Sequence, residues 1–277
     1  MIKCKNISKS YNGKEILNNI SFFINGKEKI GIIGYNGVGK TTLLKIISGE
    51  EKPDSGEIVK DNNALIGYFK QEFTITEENY DIETFIKKHI GIDILEERLN
   101  KLENEMKNDS NKIDEYCNVQ NEYIRLDGYN ISYKLDQILS GLGLNKKFKY
   151  KKIKELSGGQ KEKVMLASVL LKGTDLLILD EPTNNLDFKS INWLEKYLQE
   201  TQCPIIIVSH DRMFLDDVVT KIIEIDYFTK KIIEYPGNYS EYKKFKEKQK
   251  EKELKKYQEQ QEKIGDLKKS INQKKEW

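Results

Sequence analysis

The chain has 277 residues, 38% hydrophobic and 33% charged, with 47 basic and 45 acidic side chains for a formal net charge of +2. That is enough apolar material for one large folded core or two small ones, and no apolar run reaches the roughly 18 residues that a membrane-spanning helix needs. The start, MIKCKNISKSYNGKEIL, lacks an apolar signal core, and Cys4, Cys117 and Cys203 with two histidines form no disulfide frame or zinc pattern, so a cytoplasmic protein with reduced thiols is expected.

Residues 1–70 read as strands broken by turns. IKCKNIS (2–8) and NISFFI (19–24) have strand composition, with Asn12-Gly13 and Asn25-Gly26 as turn signals. KIGII (29–33) is short, apolar and bounded by glycine, which suits a buried parallel strand. The next segment, 40–49, sets Leu43, Leu44 and Ile47 on one helical face and stops at Gly49. A Pro53-Asp54-Ser55-Gly56 turn leads into two further strands, GEIVK and ALIGYF.

Between 72 and 155 the pattern turns helical. Residues 92–107 and 111–126 are amphipathic at 3.6 spacing with NDSN between them, which predicts a helical hairpin; 132–144 predicts a third helix. From 156 to 240 helices alternate with the apolar runs DLLILD (175–180) and PIIIVSH (204–210), the signature of a parallel sheet covered on both faces. IIEID (222–226) and KIIEY (231–235) predict a closing hairpin. From Tyr242 onward the chain reads as one long polar helix. Its apolar stripe (Phe245, Leu254, Tyr257, Ile264, Leu267, Ile271) is too thin to make it stable alone. From Lys243 to the end there are 13 lysines against seven acids, a net of +6, while the other 242 residues carry 34 bases and 38 acids, a net of −4.

Three motifs carry chemistry. Residues 34–41 fit G-x-x-x-x-G-K-[ST] between a strand and a helix. Gly34, Gly37 and Gly39 let backbone amides turn in around phosphate oxygens, with Asn36 and Thr42 in the same cradle. Lys40 reaches the β- and γ-phosphates, and the Thr41 hydroxyl ligates Mg²⁺. LLILDEP (176–182) ends a buried strand in Asp180 and Glu181, where α/β sheets bind ligands; Asp180 would hold Mg²⁺ and Glu181 would polarise the attacking water. Leu156-Ser157-Gly158-Gly159-Gln160 opens a helix, with Ser157 as N-cap and amides exposed to an anion. Taken singly, the carboxylate pair could be a strand-end cap and SGG a plain helix start.

In this order and spacing, and followed by a strand ending in Ser209-His210-Asp211, the motifs resemble the ATPase domain of ATP-binding-cassette (ABC) proteins over residues 1 to about 240. The resemblance implies an α/β P-loop NTPase fold with an antiparallel β subdomain, a helical subdomain carrying an arm hairpin, and a C-terminal linker helix. It divides the chain into a discontinuous core (1–72 and 156–241), a helical subdomain (73–155, arm about 92–127) and a linker start (242–277). It also implies roles: Tyr11 stacks on adenine, Gln71 senses Mg²⁺ and the attacking water, and His210 touches the γ-phosphate. Asp187 belongs to the D-loop, and Ser157, Gly158, Gly159 and Gln160 complete the site of a second ABC domain in trans. Tyr11 as a surface residue and His210 as a strand-end cap are the plainer alternatives.

Four features are similar to the F branch of that family (ABC-F): EPTNNLD (181–187, with Asn185 where the branch has histidine), SHDRMFLD (209–216), GNYSEYKKFKEKQ (237–249), and the 84 residues between Gln71 and Leu156. This resemblance implies a cytoplasmic ATPase (ATP and water to ADP and phosphate) that acts with Mg²⁺ on the ribosome in translation, antibiotic protection being one form of that action, with no membrane domain as partner. It implies a fragment, the first ATPase domain with the start of its linker, and slow turnover for the domain alone; a natural single domain that homodimerises is the other reading. The lysines of the last helix would face rRNA phosphate or, alternatively, only solvent. A motor subunit of a membrane transporter would share every ATP motif, and a nucleotide-binding module without turnover is a third reading.

Overall fold

The computed structural model describes residues 2–61, 64–70, 75, 78–107 and 109–275. The chain opens with a long hairpin, β1 (Ile2–Tyr11) and β2 (Lys14–Ile24), turning at Asn12 and Gly13, both at positive φ. That is the asparagine-glycine pair expected of a tight turn whose twist matches its strands. β4 (Ser55–Val59) adds to the other edge of β1, giving an antiparallel sheet in the order β2-β1-β4.

The second sheet has the order β5-β6-β7-β3-β8-β9: β3 (Lys29–Ile33), β5 (Ile66–Phe69), β6 (Leu176–Asp180), β7 (Ile205–Val208) and β8 (Lys221–Ile225) run parallel, and β9 (Ile232–Pro236) closes the edge antiparallel. Alternation in these strands serves two cores. Ile30, Ile32, Ile178, Ile206 and Ile223 pack with the inner face of β1–β2 and with Leu43, Leu44, Ile46 and Ile47 of α1 (Lys40–Ser48). Leu177, Leu179, Ile205, Ile207 and Ile222 face the opposite core, shared with α6 (Gly158–Leu171), α7 (Phe188–Glu200) and α8 (Arg212–Val218). A parallel sheet covered on both faces reads as continuous apolar runs for this reason.

Residues 82–141 supply α2 (Ile82–Ile90), α3 (Ile92–Glu105), α4 (Ile113–Arg125) and α5 (Ile131–Gly141), joined to the second core through α6. α3 and α4 pack side by side; Arg98 pairs with Glu115 and the Tyr123 hydroxyl donates to Glu96 at 3.1 Å. Several boundaries differ from the sequence reading, two of them with a local cause. α5 stops at Gly141 rather than at residue 144, because the Trp193 indole lies where a Gly141 side chain would be and Gly143 adopts a positive φ. The last helix, α9 (Tyr239–Lys275), begins three residues before Tyr242, because a capping box between Asn238 and Glu241 starts it.

The root of α9 is the only part held firmly by other elements among the described residues. Asp216 on α8 accepts from the Ser240 amide (2.6 Å) and hydroxyl (2.8 Å), and Arg212 lies over the Tyr239 ring. Glu224 on β8 accepts from the Tyr242 hydroxyl (3.2 Å) and from Lys246 (3.1 Å). From Glu247 to Gln261 every residue is exposed. No helix among the described residues is long and apolar enough to cross a membrane.

Candidate nucleotide-binding site

The C-terminal ends of β3, β6 and β7 open into a cleft of about 490 Å³ lined by Tyr11, Ile16, Asn36, Gly37, Gly39, Lys40, Thr41, Thr42, Asp180, Glu181, Val208 and His210. Ten of these twelve were expected from sequence; Ile16 and Val208 were not. A larger cavity of about 1020 Å³ lies away from these strand ends, between α5, α6 and α7 beside Trp193 and Tyr197. It includes neither the glycine loop nor the Asp180–Glu181 pair, so size alone does not mark the site.

The glycine loop is shaped by what lies behind it. Gly39 sits at φ 113, and a side chain there would come within 2.7 Å of Ile16 and 2.9 Å of Leu17, so no other residue lets α1 start at this depth. α1 starts without a side-chain cap, which leaves its first amides directed toward the cleft. Lys40 Nζ donates to the carbonyls of Gly34 (2.9 Å) and Tyr35 (3.2 Å), which holds the ammonium across the loop's mouth. Burial lowers the Lys40 pKa, and the Glu181 and Asp180 carboxylates oppose that.

Opposite the loop, Asp180 Oδ2 accepts from the Thr41 hydroxyl at 2.9 Å. Burial raises the Asp180 pKa against that bond and against Lys40. Glu181 is buried at φ 53, a left-handed conformation that turns its side chain back over the strand ends. Its Oε2 accepts from the His210 amide at 3.1 Å, while Oε1 is buried without a hydrogen-bond partner. The His210 imidazole is 3.5 Å from Oε1 and its side chain is 66% exposed. Burial pushes the Glu181 pKa up, with the His210 amide opposing and Asp180 adding. A carboxyl with a raised pKa is a stability cost when ionised: none below the ordinary carboxylate range, full above the raised pKa. Glu181→Gln is therefore expected to raise the melting temperature by about 1–3 °C near neutral pH, converging with wild type in acid. A lower melting temperature at neutral pH would contradict this account of the site.

Tyr11 lies at the rim, 43% exposed. Its hydroxyl donates to Glu51, and Lys9 sits over its ring while pairing with Glu51 (3.1 Å) and Asp54 (3.2 Å). Sequence reading missed this Lys9–Glu51–Asp54 brace, whose lysine lies more than forty residues from both acids. Gly34 lies at the loop's base, in an adjoining cavity with Tyr35, Tyr227 and Phe228. Gln71 lies outside the described residues.

Ser157, Gly158, Gly159, Gln160 and Asp187 do not line the cleft. They form a second cluster at the start of α6 and α7. Ser157 and Gln160 make a capping box, and Asp187 caps α7 through the Ser190 amide at 2.8 Å. Asn185, also left-handed at φ 57, bonds Glu162 and lies against Gly159, which ties the 184–187 loop to the first turn of α6.

Residues 17–184 match a family described as ABC transporter, and residues 225–277 match a second family with the same description. The chain belongs to the ABC family. Among its relatives, ABC transporter F family member 5 of Arabidopsis thaliana is 35% identical over 251 residues, 87% of this chain and 36% of that one. ATP-binding protein Uup of Buchnera aphidicola is 34% identical over 246 residues, 89% and 36% of the two chains. The ABC fold is shared with the ATP-binding cassette MJ0796, solved as a dimer in a post-hydrolysis state with ADP and phosphate: TM-score 0.60, 22% identity, 85% of this chain and 98% of that one. Relatives named as F-family members and ATP-binding proteins mark this ABC domain as F-type. It spans less than two thirds of the curated relatives it matches.

Proposed function

We propose that this ABC domain binds Mg·ATP in the 490 Å³ cleft and hydrolyses it when a second ABC domain closes over the nucleotide. The observation that carries this reading is Glu181: one carboxylate oxygen held by the His210 amide, the other buried and unpartnered beside the phosphate loop. Such an oxygen is an acceptor for a proton of a water in line with the γ-phosphate. Lys40 and the 37–42 backbone hold the phosphates, Tyr11 offers its ring to adenine, and His210 reaches the γ-phosphate. Ser157, Gly158, Gly159, Gln160 and Asp187 serve the partner's nucleotide.

The metal site fits the same reading. Thr41 and Asp180 offer two hard oxygens 2.9 Å apart, and Gln71 is proposed as a third ligand. Among the described residues no group of three or more His, Cys, Asp or Glu could hold a metal alone. An ion that takes much of its shell from phosphate and water is Mg²⁺, which supplies charge neutralisation to the phosphates.

We further propose the division read from sequence (core 1–72 and 156–241, helical part 73–155 with the arm, linker from 242) and action on the ribosome in translation, ribosome protection from antibiotics included. Its support is the F-type naming of the relatives and the EPTNNLD and GNYSEY segments. A Glu181→Gln protein pelleted through sucrose with 70S ribosomes is expected to co-sediment with ATP and not with ADP. No ATP-dependent association would overturn the ribosomal part and leave the ATPase part standing.

A further inference from the structure

Between Leu144 and the α6 start runs NKKFKYKKIKE (145–155), with six lysines between Lys146 and Lys154 and no acid among them. We infer that this turn is an RNA-binding surface of the domain, in which Lys146, Lys147, Lys151 and Lys152 hold the phosphate backbone and Tyr150 stacks on a base.

The backbone here is fixed rather than loose. Residues 146–150 form a 3-10 helix packed on α2 and α5, started by an Asn145 cap on the Lys147 amide at 3.0 Å. The next residues lie alongside 78–82: the Ile82 amide donates to Lys151 O (3.1 Å), Ile153 to Tyr80 O (3.0 Å) and Lys154 to Glu78 O (3.0 Å). Phe148 is half-buried against the core. The lysines therefore project from a rigid base, and a rigid base loses less entropy on binding.

Their charges are unbalanced. Several neighbouring lysines of the helical part meet acids: Lys87 with Glu96, Lys112 with Glu115, Lys134 with Asp127, Lys161 with Glu78. Within the turn Lys149 pairs with Asp136 at 3.1 Å and Lys154 reaches the Asn79 amide oxygen at 3.3 Å. Lys146, Lys147, Lys151 and Lys152 are exposed, and among the described residues none has an ion pair. Like charges gathered on one short turn repel one another, and among the described residues no acid offsets these four. An external polyanion relieves it.

The aromatics choose among polyanions. Tyr150 is 71% exposed with Lys149 on one face of its ring, and Lys151 lies over Phe148. Cations interleaved with a free ring face suit a nucleic-acid strand, which offers phosphates and stackable bases at alternate positions. A lipid surface would call for an apolar edge, and here the apolar side, Phe148 and Ile153, is turned into the core. The choice of RNA rests on the ribosomal reading; the binding chemistry does not.

The test uses the whole chain and a fluorescently labelled single-stranded RNA oligonucleotide, followed by anisotropy across a salt series. Replacing Lys146, Lys147, Lys151 and Lys152 by alanine is expected to weaken binding roughly tenfold or more and to cut the log–log salt slope by about 3. Tyr150→Ala alone is expected to cost about fivefold. Unchanged ATP affinity of both variants shows that they fold. RNA affinity within twofold of wild type in the four-lysine variant would overturn the inference. So would unchanged RNA affinity with lost binding to phosphatidylglycerol-containing vesicles, which would assign the turn to a membrane surface. Failure to pellet with ribosomes does not bear on this measurement, so the two readings fail separately.

Discussion

Glu181→Gln is expected to slow ATP turnover by roughly a hundredfold to ten-thousandfold, the range over which a positioned general base contributes. The substitution is nearly isosteric. The glutamine carbonyl can still accept from the His210 amide, which bonds Glu181 Oε2 at 3.1 Å, so the loop after β6 keeps its shape. What is lost is the second oxygen, buried without a hydrogen-bond partner, which is the proposed proton acceptor. ATP affinity should stay within about threefold, because the carboxylate repels rather than attracts phosphate. Phosphate release in a single turnover, measured beside a fluorescent-nucleotide titration, separates the two quantities. A rate loss below tenfold would move the base elsewhere in the cleft.

Lys40→Ala is the second large effect, and it falls on binding. The ammonium is half-buried and held by two loop carbonyls at 2.9 and 3.2 Å; burial lowers its pKa, and Glu181 and Asp180 oppose that. Charged hydrogen bonds of this kind contribute about 1.5–3 kcal/mol, so ATP should bind roughly ten- to hundredfold more weakly. Removing the cation also leaves the buried Asp180 and Glu181 carboxylates without its opposing charge, which adds to the loss when triphosphate arrives. Isothermal titration with ATP and with ADP measures it. Equal affinity for ATP in mutant and wild type would overturn the assignment of residues 34–42 as the phosphate cradle.

The parts of the site legible in sequence are those that local backbone chemistry dictates. The phosphate loop, the strand ending in Asp180-Glu181, the Ser157 cap and the Asn12-Gly13 turn each need particular residues at fixed spacing, so they stand out in one dimension. Other features depend on which elements the topology brings together. The Lys9–Glu51 brace on Tyr11 and the Asn185–Glu162 tie between a loop and α6 join residues distant in the chain and have no spacing to read. α2 was not singled out because it lies within a stretch read only as generally helical, although Asp81 caps it and Gly91 stops it. The lysine turn has no apolar period at all, since residues 146–150 are held by contacts from α2 and α5 rather than by a face of their own.

The footing of α9 sets a mechanical ratio. The helix is 37 residues long, about 55 Å at 1.5 Å per residue, and among the described residues its grip on the domain lies in its first two turns. That grip is on α8, which begins two residues after His210, and on β8, whose end adjoins the phosphate loop. A tilt of α9 by about 5° about that footing would carry the far end of a 55 Å rod through about 5 Å. With its root on elements beside His210 and the phosphate loop, and residues Glu247 to Gln261 standing in solvent, the helix has the proportions of a lever footed at the cleft.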